Sequence, residues 1–94
     1  MSQFDALEAA ARTQLGRIQQ LSTDLDAIQV EHSDDDATVT VSVDGAARLV
    51  DLHLSEGISR MSPAEFERAV VHTAAAAARN ALARRGTLIE EFNG

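Results

Sequence analysis

Apolar and polar residues alternate strictly in the middle of this chain and recur at helical spacing on either side. Val39, Val41 and Val43 alternate with Thr38, Thr40 and Ser42; after Asp44-Gly45, Val50, Leu52 and Leu54 alternate with Leu49, Asp51 and His53. Period two on both sides of a tight-turn pair predicts an antiparallel hairpin with one apolar face. Upstream, Ile28, Val30 and His32 alternate with Gln29, Glu31 and Ser33 before the acidic turn Asp34-Asp35-Asp36. The prediction is a three-stranded antiparallel meander over 28–33, 37–43 and 48–55. A two-residue connection at Asp44-Gly45 sets Val39 opposite Val50, and a four-residue one through Ala47 sets Val41 opposite Val50. Either keeps the valines on one face, whereas a three-residue loop without a bulge flips a strand.

Residues 1–26 carry a heptad pattern. Phe4, Ala11, Ile18 and Leu25 occupy one seam position, and Leu7, Gln14, Leu21 and Ile28 the other, with Gln14 the single polar interruption. Ser2 is placed to cap a helix that starts near Gln3. Such a helix is roughly 35 Å long, more than a sheet of short strands covers, so its remainder is expected to meet a partner helix. After the sheet, Ser62-Pro63-Ala64-Glu65 predicts a capping box with proline in the first turn. Phe66, Val70, Thr73, Ala77 and Ala81 then follow helical spacing. Arg84-Arg85-Gly86 reads as a helix end, and Thr87 as the start of a second, short helix. The expected division is therefore a projecting helix at 1–26, a sheet at 28–55, a second helix at 63–85 and a terminal helix at 87–92, all in one 94-residue domain. The fold class is α+β with the order α-β-β-β-α. Apolar stripes left over on the helices predict a homodimer, with Phe4, Leu7, Ala11, Ile18, Leu21, Leu25, Val39, Val41, Val43, Phe66, Val70 and Ala77 as interface residues.

Composition removes several classes of function. The chain has no cysteine, so disulfides and thiolate metal sites are excluded, and its N-terminus has neither a basic start nor an apolar run of signal-peptide type. No apolar run reaches the length needed to span a bilayer. A cytoplasmic protein with no membrane contact is expected. The net charge is −7, yet the charges are segregated. Residues 1–36 hold eight acids against Arg12 and Arg17, whereas residues 68–89 hold Arg68, Arg79, Arg84 and Arg85 and no acid. All eight basic residues are arginine, a side chain suited to phosphate contact. Arg68, His72 and Arg79 fall near one helical stripe that Arg84 and Arg85 extend toward the C-terminus, and Arg12 and Arg17 are the basic residues of the leading helix; Arg12, Arg17, Arg68, Arg79, Arg84 and Arg85 are the candidate DNA contacts. The three aromatics, Phe4, Phe66 and Phe92, lie in apolar stripes and offer no platform for stacking single-stranded bases.

No catalytic constellation accompanies these features. Asp51 and His53 share a strand face, as a carboxylate and the imidazole it orients do in acid–base sites, but no nucleophile or third group joins them. Asp34, Asp35 and Asp36 lack the alternating ligands and central glycine of a calcium loop. His32, His53 and His72 are dispersed. The reading is of a non-enzyme without cofactor, metal or small-molecule substrate.

The stretches Val39-Thr40-Val41-Ser42-Val43-Asp44-Gly45 and Leu49-Val50-Asp51-Leu52-His53-Leu54, followed by a Ser62-Pro63 helix start and Asn80-Ala81-Leu82, resemble the YbaB/EbfC family of bacterial nucleoid-associated proteins. The resemblance implies a helix–three-strand–helix protomer that dimerises through the sheet and second helix, with the first helices projecting as tweezer arms around DNA. Two departures bear on that implication. The family's turn typically reads Asn-Gly-Lys-Gly, where this chain has Ala46 and Ala47 at the third and fourth positions, and its leading helix is usually lysine-rich. Fewer cations mean fewer neutralised phosphates and weaker DNA affinity. The expected function is DNA binding with little sequence specificity at the nucleoid. The alternative is a cytoplasmic adaptor or chaperone that captures a client helix along the 4–28 seam; the resemblance extends to relatives that accompany type VII secretion systems as cytoplasmic partners of secreted proteins.

Overall fold

In the computed structural model, which describes residues 2–94, the order is α1 (Gln3–Asp26), β1 (Gln29–Ser33), β2 (Val39–Asp44), β3 (Leu49–Leu54), a 3-10 turn (Glu56–Arg60) and α2 (Pro63–Asn93). The three strands form one antiparallel sheet in the order β1-β2-β3. The α-β-β-β-α architecture is the one the hydropathy pattern predicts; Met1 lies outside the described residues.

Local chemistry accounts for the element starts. The Ser2 hydroxyl accepts from the Asp5 amide at 3.3 Å. Ser62 and Glu65 form a reciprocal capping box: the Ser62 hydroxyl accepts from the Glu65 amide at 3.1 Å, and the Glu65 carboxylate accepts from the Ser62 amide at 3.3 Å. Both turns of the meander use one device. Asp34 and Asp44 each open a turn whose fourth residue, Ala37 or Ala47, lies in the left-handed region at φ 54° or 62°. The Asp44 carboxylate accepts from the Ala46 and Arg48 amides, both at 2.9 Å, and from Arg48 Nε at 3.1 Å. Asp34 accepts from the Thr38 and Val39 amides at 2.7 and 3.0 Å and from the Thr38 hydroxyl. The backbone's own donors are thus satisfied where the ladder stops.

The β2–β3 register corrects both predicted alignments. Val41 lies opposite Leu52 and Val39 opposite Leu54, while Val43 meets Leu49 and Ser42 meets Asp51. Val50 is the extra residue of a bulge. The Asp44 amide donates to the Arg48 carbonyl oxygen at 2.9 Å and closes a loop of three residues, Gly45, Ala46 and Ala47; the bulge restores the parity that an odd loop breaks. Its consequence is that Leu49 joins Leu52 and Leu54 on the face of the valines.

The core is small. Val39 and Val41 are fully buried, with Val43, Ala77 and Ala81 beside them and Val30, Phe66, Ala69, Val70 and Ala74 packed around. Val39, Val41 and Val43, expected at a partner interface, are covered instead by the protomer's own α2, whose Ala77, also expected there, is buried against them. That helix lies across β1 and β2 and leaves β3 largely bare, so all six β3 residues are exposed. Ile28 is also buried, against Gly45, where an added Cβ would lie 2.9 Å from the Leu25 carbonyl oxygen. This close approach fixes the root of α1 to the second turn.

The second correction concerns α2. The helix runs unbroken from Pro63 to Asn93, through the Gly86 at which it was expected to end. Its last two turns lie against α1, with Leu88 and Phe92 half-buried beside Leu21 and Arg17. That packing outweighs the roughly 1 kcal/mol that a mid-helix glycine costs. The result is an elongated molecule of 73 × 18 × 15 Å. Its radius of gyration is 20.1 Å, against about 12 Å for a compact chain of this length. The N-terminal half of α1 continues past the end of α2 as a single exposed helix.

Candidate nucleic-acid interface

The candidate arginines fall into two groups. On α1, Arg12 pairs with Glu8 at 2.9 Å, and Arg17 donates to the Phe92 carbonyl oxygen at 3.0 Å and to Gln14 at 3.4 Å. These two side chains are engaged within the chain, away from the α2 cluster. On α2, Arg68, Arg79, Arg84 and Arg85 are all exposed, and none forms an ion pair among the described residues.

Helical geometry divides the second group further. At about 100° per residue, Arg68, His72 and Arg79 fall within about 40° of one another, whereas Arg84 is roughly 160° from Arg68. Arg85 borders a cleft that also holds Asp26, Asp44 and Arg48, so acids face it. The continuous strip expected from Arg68 to Arg85 is therefore a strip from Arg68 to Arg79, with Arg84 on the opposite side of the helix. His72 and Arg79 share a shallow depression with Val71 and Ala75. On its other flank His72 adjoins His32, Asp34 and Asp35, so the strip ends against the first acidic turn.

That turn is held by hydrogen bonds. Burial pushes the Asp34 carboxyl upward, but donation from the Thr38 hydroxyl and the Val39 and Thr38 amides outweighs it, leaving the group below the usual carboxylate range. Asp44 is also lowered, first by the Arg48 amide, against some burial, with the Ala46 amide and the Arg48 guanidinium adding to the effect. Asp34 and Asp44 thus act as turn braces. Among the described residues no three His, Asp or Glu side chains converge as metal ligands. Asp51 and His53 are exposed on β3, opposite Ser42 and Thr40.

Two features had no signal in the sequence. The Arg17–Phe92 contact joins residues 75 apart and follows no local spacing. The apolar surface of β3, with Leu49, Val50, Leu52 and Leu54 exposed, depends on where α2 crosses the sheet. Val71 and Leu82 are exposed in the same way on the outer side of α2.

The sequence profile of the YbaB/EbfC DNA-binding family matches residues 1–94, the whole chain. The chain belongs to this family. YbaB/EbfC proteins are grouped as DNA-binding proteins rather than as enzymes. The uncharacterized protein HP0035 from Helicobacter pylori, a solved structure, superposes with a TM-score of 0.71 at 17% identity, over 100% of both chains. At that identity the likeness concerns the fold. No curated protein matches the chain. Within this YbaB/EbfC chain, Ala47 occupies the turn position that is glycine in the family's usual motif, and its positive φ is the conformation glycine adopts without cost. Asp44 stands where the motif has asparagine and accepts the loop amides.

Proposed function

We propose that this YbaB/EbfC protein is a non-enzymatic, dimeric, nucleoid-associated protein of the cytoplasm that binds DNA with little sequence specificity. The observation that carries the reading is the segregation of charge on the folded surface. Arg68 and Arg79 project from one exposed face of α2 without ion-pair partners among the described residues, and the helix carries no acid from Arg68 to Ile89, its four glutamates standing at its two ends. Phosphate contact needs such cations, and a strip without a helix or ribbon shaped for a groove positions the protein without reading bases. The bare faces of β3 and α2 supply the reason for two copies. An edge strand with four exposed apolar residues is a surface that a soluble chain covers. Dimerisation doubles the strip, which offsets the net charge of −7 locally.

A mobility-shift titration at low and moderate salt tests this. A shift at tens of micromolar protein or below is expected at low salt, weakening steeply with salt and indifferent to DNA sequence. The double variant Arg68→Glu with Arg79→Glu is expected to lose the shift while keeping its mass and helical circular dichroism. No shift by the wild-type protein at low salt overturns the reading.

A further inference from the structure

The outer side of α1 carries an apolar stripe that nothing in the protomer covers. Phe4, Leu7, Leu15 and Ile18 are 71, 63, 54 and 48% exposed, and Ala11, between them, is exposed as well. At about 100° per residue these five side chains fall within about 80° of arc, on a side roughly 130° away from the residues that meet α2. The stripe is symmetric about its middle. Counting outward from Ala11, Leu7 and Leu15 stand four residues away on either side, and Phe4 and Ile18 seven.

We infer that this stripe seats the α1 helix of a second copy in antiparallel register, with Ala11 of each copy at the two-fold axis. In that register Phe4 packs on the partner's Ile18, and Leu7 on the partner's Leu15. The small Ala11 side chains lie where the helices come closest, so large residues meet large ones at the ends and the crossing stays narrow. Charge decides the direction. Glu8 and Arg12 lie on one flank of the stripe and already pair within the helix at 2.9 Å. The antiparallel arrangement brings each Glu8 to within about two residues, roughly 3 Å along the axis, of direct opposition to the partner's Arg12. A parallel arrangement would set Asp5 and Glu8 level with the same acids of the other copy and the arginines level with arginines. Helix dipoles also oppose a parallel pair and suit an antiparallel one.

A second copy is the occupant because a palindromic stripe complements itself, a property that an unrelated helix does not require of its receptor. This face is separate from β3 and the outer side of α2. Pairing there joins copies, or dimers already formed through the sheet, into larger assemblies, and it does not depend on DNA.

The absence of cysteine from the chain makes the test direct. Under mild oxidation, Ala11→Cys is expected to give a disulfide-linked dimer, since its two copies sit at the axis within disulfide reach. Phe4→Cys alone is expected to stay unlinked, whereas an equal mixture of Phe4→Cys and Ile18→Cys links. Thr13→Cys, on the far side of the helix, is the collision control. Failure of Ala11→Cys to link faster than Thr13→Cys overturns the inference, as does efficient self-linking of Phe4→Cys, which reports parallel pairing. Ala11→Glu supplies an independent readout. It is expected to reduce the mass measured by sedimentation equilibrium twofold with unchanged circular dichroism, and an unchanged mass overturns the proposal.

Discussion

The guanidinium carbon of Arg17 sits 5.1 Å from the centroid of the Phe92 ring, and one of its amino groups donates to the Phe92 carbonyl oxygen at 3.0 Å. One side chain thus holds the aromatic ring and satisfies an orphan carbonyl at the end of α2. Arg17→Ala is expected to lower stability by about 1 kcal/mol. The clearer readout is local: amide exchange of residues 88–93 rises several-fold while the sheet amides keep their protection. Uniform loss of protection across the chain would contradict the assignment.

Gly86 separates two accounts of the C-terminal region. The glycine lies inside a continuous helix, with no positive φ and nothing within 4 Å of an added Cβ. Gly86→Ala is therefore expected to raise stability by up to about 1 kcal/mol, read as an increased midpoint in urea. A helix that ended there in a left-handed cap would give the opposite sign.

The second hairpin turn contains neighbouring residues with opposite requirements. Ala47→Gly is expected to stabilise by about 1 kcal/mol, because the left-handed backbone penalises a Cβ. Gly45→Ala is expected to destabilise by about 1–3 kcal/mol, because the new Cβ meets the Leu25 carbonyl oxygen at 2.9 Å. Thermal melts of the two variants should move in opposite directions.

Acid stability follows from the two turn carboxylates. Both titrate lower in the folded protein than at their ordinary values near 3.8. Their stabilisation is fully present above that value and disappears as pH falls through the depressed folded values. Melting temperature should therefore be insensitive to these groups near neutrality and decline below about pH 4. Asp34→Asn is expected to flatten that acid limb while lowering stability at pH 7. An acid limb identical to wild type in both Asp34→Asn and Asp44→Asn would remove the turns as its source.

Sequence patterning reached the element order because each element carries its own local signal. Ser62-Pro63-Ala64-Glu65 opens α2 where a capping box should, and the alternating valines form β2. What escaped depended on distant parts of the chain. The β2–β3 register required knowledge of the bulge at Val50, which alternation alone does not mark. Gly86 looked like a terminus because its neighbours, Arg84 and Arg85, suit one; only the docking of Leu88 and Phe92 on α1 shows why the helix continues. The arginines of α2 were legible as a group, and helical spacing within residues 63–85 already divides them between two faces; the acids beside Arg85 were not legible, because Asp26 and Asp44 come from distant elements.

The fastening of α1 at its lower end by Gly45, Ile28 and Leu25 gives the protein a mechanical property. Arg17 and Leu21 hold the helix a second time against the end of α2, so the free arm runs from Arg17 to Phe4, roughly 20 Å. A bend of about 10° near Arg17 swings Phe4 through about 3 Å, while the valine layer beneath α2 stays undisturbed. Reach at the tip is thereby adjustable with little rearrangement of the packed centre.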